Sequence, residues 1–476
     1  MILLLDQMSK EAEMLWQSLR ETRASFQTFC FEDDGFLPEG VTSPYHYYLQ
    51  MSDSEILARP RYFSRLQVPA GWEIRSSGVD GNVWDYETKR AEITYAEPKS
   101  RRFIQKVTWL DEKGIACWTD HYDRNGYLYA RTTRNAEGRE ILKVYYAERP
   151  DGRRYPCIME DLHTHCITLR KKNGTGIEEY IFSGKVDFMA FFLREIGAEC
   201  DRIFFNSLNW SFFTERKLRA DEEKTDKKAS WKKSGDILFW QEEIYGRLPG
   251  NMVTILNEQR WVDRIIVQSE SVYQKILEQL REYGSENGVR NAAATVDQFW
   301  PLGYIYPFLR ENEGKREILI LTNSDAVEKL PELVETLPEF TFRIGAFTEM
   351  SQKLMGMGEY ENVMLYPSIS ERRANELLRE CDFYLDINHA NEIADAVHEA
   401  YLNRSVILGF KETAHNRLYE PEEHLFAKED WQQMAEQLKC AAVSMEETQR
   451  LLQRQDEKAM RVDRTRYIEV LNLEVM

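Results

Sequence analysis

The segment Cys381–Phe410, CDFYLDINHANEIADAVHEAYLNRSVILGF, most narrows the folds open to this chain. Phe383–Ile387 and Ser405–Phe410 are short, nearly unbroken apolar runs. Between them lie a polar loop, Asn388–Asn391, and a stretch of helical periodicity, Glu392–Asn403. Strands covered on both faces read as continuous apolar runs, and a parallel pair needs a crossover, usually a helix. The segment therefore predicts a strand–loop–helix–strand unit of an α/β protein. Ligands in such sheets bind beyond the carboxyl ends of the strands. That rule makes Asn388, His389 and Asn391, with Glu399 on the following helix, candidate binding residues.

The rest of the chain sorts by texture. Ile2–Asp6 reads as a buried strand, Lys10–Thr22 as a helix and Phe26–Glu32 as a second strand, a β-α-β start. The loop after the first strand, Gln7-Met8-Ser9, has no glycine, although phosphate sites there need one for close backbone approach. From about residue 60, alternation replaces helical periodicity. Asx-x-x-Gly turn signals recur, ending at Gly114, Gly126 and Gly138, with Asp151-Gly152 and Asn173-Gly174 continuing them. One strand plus one turn per repeat predicts an antiparallel meander inserted over 61–185. The α/β texture resumes with a helix at Lys185–Gly197 and strands at Arg202–Asn206, Ile237–Gln241 and Arg264–Gln268. Gln241 and Glu242, where one of these strands ends, join the candidate binding residues. Residues 215–233, charged and mixed in sign, read as a mobile surface loop. The expected domains are 1–60 and 186–300 as the two parts of one Rossmann-like domain, 61–185 as the insertion, and 301–445 as a second Rossmann-like domain. A helix over 446–476 is expected to return to the first.

The chain has 476 residues, 43% hydrophobic and 30% charged, with a net charge of -18. That balance fits a globular protein and argues against nucleic acid as a partner. Seven cysteines without CxxC spacing point to reduced usage with neither a disulfide framework nor a zinc site. His163 and His165 would share a face of a strand, but no third ligand has fitting spacing, so no metal is expected. The N-terminus lacks a basic leader, and no apolar run approaches the ~18 residues of a membrane span. Basic residues, among them Lys99, Arg101, Arg102, Lys106, Arg170 and Lys171, make the meander a candidate docking face.

The order of these pieces resembles the glycosyltransferase-like proteins of the accessory Sec system of Gram-positive bacteria. Several stretches of the chain look like those of the stabilising, chaperone-like subunits that accompany the catalytic peptide N-acetylglucosaminyltransferase. Short stretches along the whole chain carry the resemblance: Asp34-Gly-Phe-Leu-Pro38, Val107-Thr-Trp-Leu-Asp111, Asp236-Ile-Leu-Phe-Trp-Gln-Glu242, Pro249-Gly-Asn-Met252, Leu321-Thr-Asn-Ser-Asp325 and Leu385-Asp-Ile-Asn-His389. The resemblance implies an α/β, GT-B-like fold: two Rossmann-like domains facing a cleft, with an inserted antiparallel β-sheet domain. In active retaining relatives two glutamates stand eight positions apart around the binding loop. Here Glu399, followed by Ala400, occupies the second place, but the first is Asn391, and Glu392 is one position off. The loop Thr322-Asn-Ser-Asp325 puts an acid where active relatives carry a basic pair, and an acid there repels a diphosphate.

The resemblance therefore implies a subunit with no catalytic residues and no cofactor. Its implied partners are the catalytic sister glycosyltransferase, in a hetero-oligomer, and a serine-rich repeat acceptor polypeptide. Its implied place is the cytoplasm, or the cytoplasmic side of the membrane as a peripheral protein. Gln241, Glu242, Asn388, His389, Asn391 and Glu399 would converge in the cleft to hold acceptor sugar or peptide. Two alternatives stay open: an active retaining transferase of UDP-sugars that uses Glu392 and Glu399, and a pure assembly scaffold with an empty cleft.

Overall fold

The structure, a computed structural model, describes every residue except 50–58, 78, 149–153, 174–175, 199, 226–234, 259, 285, 287, 292–294 and 474–476. The chain divides into two compact units, Met1–Pro301 together with Leu473, and Leu302–Asn472. In the first unit a seven-stranded, all-parallel sheet runs in the order Phe299–Pro301, Val262–Val267, Asp236–Trp240, Ile203–Phe205, Ile2–Leu5, Gln27–Cys30, Val41–Thr42. The apolar run that opens the chain is central and wholly buried. Leu3 pairs with Thr28 on one side and with Phe204 on the other. From Ile2–Leu5 the chain winds one way, through the helix Lys10–Glu21; from Ile203–Phe205 it winds the other way, through the helix Trp210–Thr225. This reversal is a topological switch point, where α/β sheets open a crevice.

The insertion is a ten-stranded antiparallel sheet whose strands lie in chain order, from Glu73–Ser76 to Gly176–Phe182. Its turns explain the sequence repeat. Asp111, Asp123 and Asn135 each turn a side-chain oxygen onto the amide two residues on, at 2.8, 3.0 and 3.1 Å. The same oxygens accept from the amides four residues on, at 2.8, 2.8 and 2.9 Å. The fourth residue of each turn must be left-handed, and Gly114, Gly126 and Gly138 take φ of 79°, 77° and 78°. The meander is not packed as a separate body. Tyr145 stacks on Tyr45 at 4.4 Å between ring centroids, and Ile158, Ile167 and Leu169 share one core with Phe188, Phe192 and Leu238.

Residues 215–225, expected in a mobile loop, lie in the helix Trp210–Thr225. Residues 226–233 of that stretch, and the turn residues Asp151, Gly152 and Gly174, fall outside the described residues. Burial decides the helix: Phe212 and Leu218 enter the core, and Arg219 is drawn in to meet Asp236. The guanidinium Nε and Nη2 donate to the two Asp236 carboxylate oxygens at 2.7 and 2.6 Å, with both side chains buried.

The second unit is a six-stranded parallel sheet in the order Val363–Tyr366, Thr341–Gly345, Glu317–Leu321, Phe383–Asp386, Val406–Phe410, Leu425–Phe426. Of the segment 446–476, expected to return to the first domain, the residues up to Asn472 belong to this unit and Leu473 belongs to the first. Leu451 and Leu452 of the helix Met445–Lys458 enter its core. Gln455 bonds the sheet directly, accepting from the Ile407 amide at 2.9 Å and donating to the Ser405 carbonyl at 3.1 Å. An apolar stripe ending in a buried amide bonds to the nearest strand, and here that strand is local. The helix expected from Glu392 begins at Ala396. Ala394 and Asp395, at φ 52° and 54°, turn the chain into it.

The turn geometry makes a stability prediction. An alanine in the left-handed region costs about 1–2 kcal/mol. Gly114 has open space where a Cβ would stand, whereas a Cβ on Gly126 would lie 2.6 Å from the Arg59 carbonyl oxygen. Gly114→Ala should cost about 1 kcal/mol and Gly126→Ala roughly 2–4 kcal/mol, because backbone must move as well. Urea unfolding of the two variants measures the difference, and equal losses would contradict it.

Candidate functional site

The crevice at the switch point of the first unit is a polar pocket of about 570 Å³. Its floor is built by Asp6, at the end of the first strand. Asp6 accepts from the backbone amides of Trp210 and Ser211 at 3.2 and 2.8 Å, and its own amide donates to Asn206 Oδ1 at 3.1 Å. The amino end of a helix carries partial positive charge and free N–H groups, which is why phosphates settle there. In this pocket an internal carboxylate already holds that place. Ser9 caps the neighbouring helix Lys10–Glu21 through the Ala12 amide at 3.2 Å, without any glycine. Trp210, on the pocket wall, packs against Phe31 and lies 4.1 Å from the Lys185 ammonium.

Gln241 and Glu242 both line this pocket, but they differ in what they can do. The Gln241 amide is spent internally. Its Nε2 donates to the Glu11 carbonyl at 2.8 Å and to Gln268 Oε1 at 2.7 Å, and its Oε1 accepts from Asn206 at 3.3 Å. It braces the floor. Glu242 is exposed at the rim, and desolvation together with the Asp6 charge pushes its carboxyl above the usual range. With Asp6, Glu11 and Glu242 around it, the pocket repels anions and suits neutral hydroxyl-bearing groups, which donate as well as accept.

The other four expected residues lie in the second unit, beyond the strand Phe383–Asp386. Asn388 is buried and turned inward. Its Oδ1 lies 2.8 Å from the Thr322 hydroxyl and accepts from the Ala390 amide at 3.1 Å, while its Nδ2 donates to the Ala390 carbonyl at 3.3 Å. It shapes the loop. His389 and Asn391 are exposed, with His389 Nε2 2.7 Å from a Glu328 carboxylate oxygen. Glu399 is half-buried on the helix Ala396–Leu402, and burial raises its carboxyl above the usual range. Glu392 lies outside the helix Ala396–Leu402 that carries Glu399. Its carboxylate accepts from the Val397 amide at 3.0 Å. Asp325, expected to repel a diphosphate, accepts from the Ser351 hydroxyl at 2.9 Å. Lys329 stands just before the helix Leu330–Thr336 and pairs with Glu332 at 3.0 Å. His163 and His165 sit in a turn rather than on a strand, with His165 at φ 62°.

Sequence reasoning missed Asp6, Asn206, Ser207 and Trp210, which build more of the pocket than the residues it found. Asp6 ends the first apolar run and Asn206-Ser207 ends another, so polar residues immediately after buried strands were the available signal.

Models of four successive domains match the chain: the GtfB N-terminal domain over residues 2–48, the GtfB middle domain over 72–183, the GtfB third domain over 185–280, and the GftB/GlyA-F C-terminal domain over 318–455. The UDP-N-acetylglucosamine–peptide N-acetylglucosaminyltransferase stabilizing protein GtfB of Streptococcus parasanguinis is 36% identical over 427 residues, 90% of each chain. The protein of the same name from Streptococcus pneumoniae serotype 4 is 36% identical over 99% of each. This chain belongs to the GtfB family. A chain in the crystal structure of a GtfA/B complex bound to UDP and GlcNAc superposes with a TM-score of 0.86 at 36% identity, covering 99% of both. The fold is accordingly GT-B-like, with the antiparallel sheet as its insertion.

The Asp6 contact carries a prediction for this site. Asp6→Ala leaves two helix-terminal amides without their acceptor. It should lower stability by about 1–3 kcal/mol, the range for a lost cap and a charged hydrogen bond. Chemical denaturation checks this; an unchanged midpoint would mean that the helix end does not depend on Asp6.

Proposed function

We propose that this protein is a non-catalytic stabilising and acceptor-binding subunit of a two-protein peptide O-GlcNAc transferase, acting on a serine-rich polypeptide in the cytoplasm before export. Its partner is a catalytic glycosyltransferase, docked through the ten-stranded sheet. The observation that carries the reading is Asp6 at the amino end of the helix Trp210–Thr225, a helix end being a place that in general suits phosphate. An internal carboxylate there opposes a diphosphate leaving group without impairing a site for sugar hydroxyls. The engaged Glu392 supports the same conclusion, because it removes the nearest substitute for the glutamate replaced by Asn391. The family's full-length members are named as stabilising proteins of such a transferase, which agrees with both. Among the described residues no helix is long and apolar enough to cross a membrane, which is compatible with the proposed location.

In this reading Glu242 of the first unit, and separately His389, Asn391 and Glu399 of the second, are groups that can hydrogen-bond acceptor sugar or peptide, while Gln241 and Asn388 keep their own loops in place. Purified alone, the protein should neither transfer nor hydrolyse the sugar of UDP-GlcNAc. Turnover that disappears in Glu399→Gln would sink the proposal.

A hydrogen bond between protein and sugar contributes about 0.5–1.5 kcal/mol, and up to roughly 3 where a charge takes part. Glu242→Ala and Glu399→Ala should therefore weaken binding of glycosylated acceptor peptide several-fold or more, with the complex with the catalytic subunit intact. Titration calorimetry on wild type and variants measures this. Identical affinities would leave scaffolding as the protein's whole contribution.

A further inference from the structure

The loop carrying His389 and Asn391 is held by a side chain that the proposed function has not used. His415, on the segment after the strand Val406–Phe410, reaches back to the end of the strand Phe383–Asp386. Its backbone amide donates to Asp386 Oδ2 at 2.7 Å, and its ring Nδ1 lies 2.6 Å from Asp386 Oδ1. On the far side of the ring, Nε2 lies 2.6 Å from the Ala390 carbonyl oxygen, in the middle of the binding loop. The Thr413 hydroxyl, two residues earlier, donates to the Asp386 carbonyl at 2.7 Å. Asp386 is thus the post to which both segments are tied.

A neutral imidazole has one N–H and one lone pair. Here one ring nitrogen faces a carboxylate and the other a carbonyl, and a carbonyl oxygen only accepts. With Asp386 ionised and receiving the His415 amide as well, both contacts are hydrogen bonds only if the ring is imidazolium. The surrounding charges agree. Asp386 and, farther off, Glu392 raise the ring's pKa from 6.5 to about 9. Glu420, 1% exposed, also stands against Asp386; burial and the Asp386 charge push its carboxyl up to about 8. That rise favours a neutral Glu420 beside the Asp386–His415 pair.

We propose that His415 is the positioning residue of the acceptor loop: pinned between Asp386 and the Ala390 carbonyl, it sets the angle at which His389 and Asn391 meet the ligand. This rests on the reading that the loop contacts acceptor. His415 itself is only 17% exposed at its side chain and acts through the loop rather than on the ligand. The sign of its pH dependence follows from a pKa raised on folding. The pin's contribution is complete below about 6.5 and is lost as pH rises through about 9.

Two measurements on the full-length protein test this. Nuclear magnetic resonance with ring-labelled histidine, assigned with His415→Gln, should find the His415 ring protonated at pH 7.5 and titrating near 9. Titration near the ordinary 6.5 overturns the pin. Glycosylated acceptor peptide should then bind His415→Gln about five-fold more weakly than wild type at pH 7, with the ratio falling towards one above pH 9, since one charged hydrogen bond holds the loop. His389→Ala and Asn391→Ala separate the two ideas. If they weaken binding and His415→Gln does not, the positioning role falls while the acceptor site stands. If none of the three changes affinity, the acceptor reading falls and takes this inference with it.

Discussion

The carboxylate of Asp6 at the amino end of the helix Trp210–Thr225 is the contact on which the first unit turns. It joins the first strand to a helix more than two hundred residues later, so the parallel sheet closes although an entire antiparallel sheet has been spliced between its two winding directions. The same bond neutralises the helix end that would otherwise attract phosphate. One interaction thus bears on two matters that are usually separate: how a split α/β domain is held together, and the charge at the floor of its crevice. The polar groups that follow, Asn206, Gln241 and Gln268, are arranged around that carboxylate and spend their hydrogen bonds on one another.

The second unit repeats the pattern with different residues. Asp382, fully buried, accepts from the amides of Glu313 and Lys315 at 3.0 and 2.7 Å and pairs with Arg310, fastening the segment that leads into the sheet. Asp386 does the same for the loops at the other end of that strand, Phe383–Asp386. A buried carboxylate is tolerated only when its lone pairs are filled, and in both units protein groups fill them. What remains for a ligand is the rim: Glu242 in one unit, and His389 and Asn391 in the other. Groups of this kind can hydrogen-bond hydroxyls and peptide, whereas sugar transfer from a nucleotide draws on positive charge beside the leaving group.

Much of this was legible in the amino-acid order. Ile2–Leu5, Phe383–Asp386 and Val406–Phe410 are strands because their residues are apolar without alternation, and a buried parallel strand requires that. The meander could be read from Asp111, Asp123 and Asn135, each followed three residues later by glycine, because each turn is closed by its own side chain and needs no distant partner. The helix start at Ala396 was not legible, since the left-handed turn at Ala394 and Asp395 has no glycine to mark it and Glu392 looks like a helical residue until its bond to the Val397 amide is seen. Nor was the packing of residues 446–472, whose apolar stripe fits any complementary face.

The chain alone therefore determined the classes of its elements, the insertion, the acidic balance and the absence of a glycine at the first loop, all properties of short windows. Tertiary structure decided which polar side chains are turned inward and which stand at the surface. Gln241 and Glu242 are neighbours in the chain, yet one is braced between Glu11, Asn206 and Gln268 and the other stands at the rim. Asn388 turns inward where His389 turns out, and His415 reaches Ala390 across twenty-five residues. Hydrogen bonds between residues distant in sequence leave no periodic trace, because a single donor and acceptor suffice and nearly any polar residue can supply either.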